Sequence, residues 1–350
     1  MLKRIIIASL LFSPFNSLLF QNSAFAQQVT SKGVNFRKVE DIKQLFELAK
    51  KQHKNVFIEA YSPTCHHCEA YIPTFQKAEV GDFYNAKFIS YKLDVSQAKV
   101  VAFLNKKNIW IAATPTLLFF DADENLLHIT PAGDETNSVK GVITFAQTAL
   151  NPVERTANYK SIYQSGNRQS GFLYNYAYTA RMMRDTTDNI TAMNEYAKAT
   201  PENQYEDNIN FLILQKIVID DENPIFKYMM NHLDSFNKKY DPKLVKQTAE
   251  NIIMFSLYSS RGAKFSEAKR NEMKDNLRKL GIEEKSINGR FAVSDVNFYL
   301  EQKQEDKVMN ALKSFYEGKN IPTADLEFWC KLFKSRNVST NLMSLLGTCK

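Results

Sequence analysis

Cys65-His66-His67-Cys68, within FIEAYSPTCHHCEAYIP, places two thiols two residues apart at the junction of an apolar run and a helix-like segment. Thiols and imidazoles at this spacing bear on three chemistries: metal ligation, a structural disulfide and thiol–disulfide exchange. A closed metal site takes about four ligands. Adjacent histidines at a helix start diverge, and no second Cys/His cluster lies nearby in sequence, so no metal is assigned. A disulfide across two residues closes too small a ring to fasten much chain. Exchange remains the best reading, with Cys65 as exposed nucleophile and Cys68 as resolving thiol.

That chemistry needs a thiolate. A free cysteine with a pKa of about 8.5 is only roughly 3% ionised at pH 7. A sulfur at a helix N-terminus faces unpaired backbone N–H groups and the positive end of the helix dipole, both of which favour the anion. Ser62-Pro63-Thr64 suits a helix start, because Ser and Thr cap and Pro cannot extend the helix backwards. Imidazole N–H groups of His66 and His67 near the sulfur would stabilise the thiolate further. A stabilised thiolate leaves readily and reduces poorly, so the spacing predicts an oxidising couple.

The elements that must position these residues alternate between strand-like and helix-like patterns from Val34 to about Leu150. NFRKV reads as a first strand, and DIKQLFELAKKQ carries Ile42, Leu45, Phe46 and Ala49 at helical spacing. NVFIEAY is a strand with Phe57, Glu59 and Tyr61 on one face, which predicts a half-buried, functional Glu59. Cys65 to about Phe75 reads as a helix, AKFISYKLDV as a strand, and VSQAKVVAFLNKKN as a helix. PTLLFFD reads as a buried strand, NLLHITPAG as an edge strand and SVKGVITFAQTAL as a closing helix. This order predicts an α/β sheet covered on both faces. After Asn151-Pro152, apolar residues recur at spacings of three and four, with breaks at Pro201, Pro224, Pro242, Gly262 and Pro322. Residues 151–350 are therefore expected to be all-helical, with nine to eleven helices and a faint helical-hairpin repeat.

The 350-residue chain carries a formal charge of +7, spread without a basic run dense enough for nucleic acid. Lys3-Arg4, the apolar stretch from Ile5 and the small residues of Ala24-Phe25-Ala26 form a signal-peptide pattern, cut near Ala26. The expected domains are residues 1–26 as signal, 27–150 as the α/β unit and 151–350 as the helical unit. No later stretch has the roughly 18 uncharged apolar residues that a membrane span needs. An exported, periplasmic location follows, and there disulfides persist. Cys330 and Cys349 are the candidate structural disulfide, worth about 3 kcal/mol in the loop-entropy account. His53, His128 and His232 stand alone and read as surface or core residues.

FIEAYSPTCHHC resembles the thioredoxin-fold catalytic domain of protein disulfide isomerases, whose pattern is F-Y-A-P-W-C-G-H-C. Tyr61, Pro63, Cys65, His67 and Cys68 fall on it, and the resemblance spans about residues 34–150. It implies that Glu59 is the buried acid accepting a proton from Cys68, and that Pro73 kinks the active-site helix. It also implies that Lys92, in Lys92-Leu93-Asp94, lies near that acid. Thr114-Pro115-Thr116 resembles the loop whose proline is cis and lines the substrate strand, as in periplasmic Dsb-type isomerases. Gly133 matches a glycine of the final strand turn. Two departures stand out: Thr64 replaces the aromatic before the first cysteine, and His66 replaces Gly or Pro.

The function expected is a thiol–disulfide oxidoreductase acting on protein thiols or disulfides, recharged by a redox partner and needing no cofactor. The rivals are a thioredoxin-like adaptor working through its helical domain and a Cys/His metal handler.

Overall fold

The computed structural model describes residues 33–317, 319–344 and 346–347. The expected signal segment, and Cys349 as the expected partner of Cys330, lie outside the described residues.

The first unit is built on five strands: β1 (Phe36–Arg37), β2 (Asn55–Tyr61), β3 (Phe88–Asp94), β4 (Thr116–Phe120) and β5 (Leu126–Pro131), ordered β1-β3-β2-β4-β5. β1, β3 and β2 run parallel, while β4 and β5 are antiparallel to their neighbours. NFRKV thus contributes only a two-residue strand. NLLHITPAG supplies the edge strand it was read as. The sheet is mixed rather than parallel, yet β4 is buried along its whole length. Its uninterrupted apolar run reflects helices on both faces, not strand direction.

Period-two alternation divides β2 and β4 between two cores. Val56, Ile58, Leu118 and Phe120 face α1 (Lys43–Gln52) and α4 (Ala98–Lys106). Phe57, Leu117 and Phe119 face α2 (His66–Phe75), α3 (Ala78–Lys87) and α5 (Val139–Leu150). Helix α1 buries Leu45, Phe46 and Ala49, as its spacing predicts, and stops at His53 in the left-handed region (φ 52°). Helix α3 was not anticipated. Its sequence, AEVGDFYNAK, has little amphipathic contrast, and it exists because Val80 and Tyr84 pack under the sheet. Phe57 anchors that packing, with ring centroids 4.8 Å from Tyr84 and 5.1 Å from Phe119.

The rest of the described chain is helical: α6 (Tyr159–Gln164), α7 (Ser170–Met182), α8 (Thr186–Ala199), α9 (Asn208–Lys216), α10 (Pro224–Asn231) and α11 (Leu233–Lys239). Then come α12 (Pro242–Leu257), α13 (Glu267–Lys279), α14 (Glu284–Glu301), α15 (Glu305–Tyr316), α16 (Thr323–Arg336) and α17 (Thr340–Ser344). Twelve α-helices are thus described here. The excess over nine to eleven comes from pieces such as the seven-residue α11 and five-residue α17, too short to show a period. The prolines mark helix starts. Asn223 caps α10 through the N–H groups of Ile225 and Phe226, and Asp241 caps α12 through that of Lys243. One core runs from Leu173 to Phe291 and a second from Val296 to Leu346, with α14 contributing to both. Among the described residues no helix is long and apolar enough to cross a membrane.

The two units are joined by packing. Met182, at the end of α7, is buried in the core beneath α1 and α4, and its carbonyl accepts the Trp110 N–H at 2.7 Å. On the β5 edge, Thr156 accepts the Ile129 N–H at its hydroxyl (3.0 Å) and donates its own N–H to His128 Nδ1 (3.2 Å).

Candidate active site at the start of helix α2

β2 ends at Tyr61, and Ser62-Pro63-Thr64 turns the chain into α2. Neither Ser62 nor Thr64 caps the helix; Cys65 does. Its backbone is extended (φ −90°, ψ 103°), and its Sγ accepts the Cys68 N–H at 3.1 Å. The sulfur therefore occupies the position where a capping oxygen usually sits, at the positive end of the helix dipole. One turn later, Cys68 is only 4% exposed, whereas Cys65 is partly exposed. The two are joined as a disulfide with Cα atoms 5.3 Å apart.

Facing them is Thr114-Pro115, whose peptide bond is cis. The Thr114 carbonyl oxygen lies 3.2 Å from Cys65 Sγ. Pro115 leads directly into β4, so a central strand fixes this loop against the sulfur.

Glu59 lies on β2, in register with Lys92 on β3 and Leu117 on β4. It shares the sheet face with Phe57, the face that α2 and α3 cover. Its side chain is fully buried, with Oε2 3.1 Å from Lys92 Nζ. That contact is an ion pair rather than a well-aligned hydrogen bond, since neither carboxylate oxygen has a partner of good hydrogen-bond geometry. Burial pushes the carboxyl pKa up, and the Lys92 charge only partly opposes it. Lys92 keeps about a third of its side chain exposed and lies over the rings of Phe36 and Tyr61 at 5.3 and 5.4 Å. The site thus holds a buried carboxyl that takes up a proton more readily than a solvated one.

The spacer histidines are placed differently from one another. The His66 side chain is 95% exposed, with Nδ1 3.8 Å from Glu69 Oε2. His67 donates from Nδ1 to Asp134 Oδ1 at 2.8 Å. The donor that reaches the Cys65 sulfur is the Cys68 backbone amide. Pro73 lies inside α2.

The sequence reading missed the segment Gly133–Asn137, which clamps α2. The Tyr71 hydroxyl donates to the Gly133 carbonyl (2.8 Å) and lies 2.7 Å from Thr136 Oγ1. Thr74 donates to Asn137 Oδ1 (2.6 Å), and Asn137 Nδ2 donates to the Ala70 carbonyl (2.8 Å). These partners lie more than sixty residues apart in sequence. The only local signal was Tyr71 itself, a polar-tipped aromatic one turn beyond Cys68. Cys330 is buried on α16. Among the described residues, no group of three or more His, Cys, Asp or Glu side chains is arranged to hold a metal ion.

Comparison with known proteins agrees with this geometry. A family model described as Thioredox_DsbH, a protein of unknown function (DUF255), matches residues 15–109. A Schizosaccharomyces pombe protein named "Putative protein disulfide-isomerase" is 26% identical over 109 residues, which are 31% of this chain and 21% of the relative. The match thus spans about a fifth of that relative's length, and the family model stops short of the helical unit. Fold and similarity together support a thioredoxin-like unit similar to thiol–disulfide oxidoreductases, followed by a helical region.

Proposed function

We propose that this protein exchanges disulfides with exported protein substrates through Cys65 and Cys68, in the periplasm or an equivalent oxidising compartment. The observation that carries the proposal is the Cys65 sulfur acting as N-cap of α2, opposite the Thr114 carbonyl. A thiolate there receives a backbone N–H and the helix dipole, and it remains open to a partner.

In the reducing direction, the Cys65 thiolate attacks a substrate disulfide, and one substrate sulfur leaves as thiolate. Glu59 takes the proton of Cys68, whose thiolate then attacks Cys65 Sγ in the mixed disulfide. The second substrate sulfur leaves, and Cys65–Cys68 is restored as a disulfide. The substrate gains two electrons and the protein loses two. The oxidising direction is the same sequence reversed, and a redox partner in that compartment returns the pair to its working state. Thr114-Pro115 offers backbone groups to the substrate segment beside the mixed disulfide. Lys92 moderates the Glu59 carboxylate, and Pro73 shapes α2. His66 and His67 lie on the solvent side of the site, His66 beside Glu69 and His67 bonded to Asp134.

Cys65→Ser is expected to abolish insulin reduction and oxidative refolding of a reduced ribonuclease. Cys68→Ser is expected to accumulate mixed disulfides, visible as non-reducing adducts by electrophoresis. Full activity in Cys65→Ser would refute the proposal and favour an adaptor role. Equilibration with glutathione sets the direction. A potential of about −120 to −180 mV marks an oxidase or isomerase, and one near about −270 mV a reductase.

A further inference from the structure

Between the two units lies a cavity of about 560 Å³, walled by Trp110 from the sheet unit and by Arg181, Ile219, Met254, Phe255 and Tyr258 from the helical unit. Its volume falls in the range of small-ligand sites, about 300–1,000 Å³. The Arg181 guanidinium stacks between two walls, 5.1 Å from the Trp110 ring and 4.7 Å from the Phe255 ring. Its Nε and Nη1 are buried and have no hydrogen-bond partner. Among the described residues, no carboxylate lies within ion-pair distance of it. Nearby cations are treated otherwise: Arg261 pairs with Asp220 at 3.1 Å, and Lys269 with Asp221 at 2.7 Å. A partly buried charge without a partner is costly, and aromatic faces offset only part of that cost. Burial lowers the Arg181 pKa to about 10, which leaves it cationic at neutral pH.

We propose that this cavity binds a monoanionic carboxylate carried on an apolar or aromatic body, with the carboxylate paired to Arg181 and the body lying between Trp110, Met254 and Phe255. The charge requirement follows from the Arg181 guanidinium at the cavity wall, which has no carboxylate partner among the described residues and can donate to one. The apolar requirement follows from the walls. Phe255 and Tyr258 are 39% and 56% exposed, which gives the ligand an entrance. The source is either a free aromatic or aliphatic acid or the C-terminus of a peptide ending in an apolar residue. Both present the same chemistry. The inference does not depend on the exchange reaction at Cys65.

Calorimetric titration of the full chain tests it, with 3-phenylpropionate against its neutral counterpart 3-phenylpropanol, and N-acetyl-Gly-Gly-Phe against its C-terminal amide. The acids are expected to bind about tenfold or more tighter than their neutral counterparts. They should also shift Trp110 emission. Binding of both acids would assign chain termini as ligands, and binding of phenylpropionate alone a free small acid. Arg181→Gln should abolish the acid preference, with Arg181→Lys in between. Phe255→Ala should weaken acid and alcohol alike. Equal binding of acid and alcohol by the wild-type protein would overturn the proposal without recourse to any variant. So would no binding up to about 10 mM, or an acid preference retained in folded Arg181→Gln.

Discussion

In the proposed exchange the buried Cys68 must lose a proton, and Glu59, on the sheet face that α2 covers, is the acceptor assigned to it. Burial raises its carboxyl pKa, so the folded state holds that proton more tightly than the unfolded chain does. The sign follows directly. This carboxyl costs least at low pH, and its cost grows as pH rises from the unfolded value through the raised folded one. Glu59→Gln is therefore expected to melt at a higher temperature than wild type at pH 8, with the difference shrinking toward pH 5. Resolution of the mixed disulfide should slow by about two orders of magnitude, in the range typical of a lost general base. Thermal melts at the two pH values and quenched-flow trapping of the mixed disulfide check both halves. A variant that is less stable than wild type at pH 8 would contradict the burial argument.

At the scale of elements, α2 is held at its start and along its body. Its start is fixed by the Cys65 cap and its body by the 133–137 segment. Tyr71→Phe keeps the buried ring and removes the hydroxyl shared by Gly133 and Thr136. It is expected to cost about 1–2 kcal/mol in urea denaturation, the range for a hydrogen bond whose partners are left unsatisfied. The same change should accelerate hydrogen exchange in α2 more than in α1, because α1 makes no hydrogen bond to that segment among the described residues. Equal exchange in both helices would mean that the clamp is not what holds the active-site helix.

Across the whole molecule, the junction between sheet and helices carries a titratable group. Burial lowers the His128 pKa to about 4, and neutral Nδ1 accepts the Thr156 N–H. The unfolded chain protonates this imidazole near about 6.5. The neutral folded histidine thus contributes stability that is present above that value and lost as pH falls toward 4. His128→Gln retains an acceptor but does not titrate. Its unfolding free energy should fall less steeply than that of wild type between pH 6.5 and 4, as measured by denaturant titration at several pH values. Parallel slopes would show that the imidazole is not buried at the junction.

Local chemistry is what the sequence by itself determined. Helical spacing located α1, β-rich and apolar runs located β2, β4 and the edge strand, prolines marked the breaks at which α10 and α12 start, and the thiols with their helix start pointed to exchange chemistry. Glu59 was legible because Phe57 and Tyr61 share its face of one strand. These are nearest-neighbour properties, set by backbone geometry within a few residues. Tertiary structure alone decided the rest. Helix α3 has no periodic signal and depends on the sheet face it covers. Sulfur, not Ser62 or Thr64, caps α2, because the turn from β2 aims that side chain back at its own amides. Asp134 takes His67 away from the role its spacing predicted, and Trp110 and Arg181 meet across a junction of two units. Each of these contacts joins residues far apart in the chain, and only packing, which minimises exposed apolar surface over the whole molecule, brings them together.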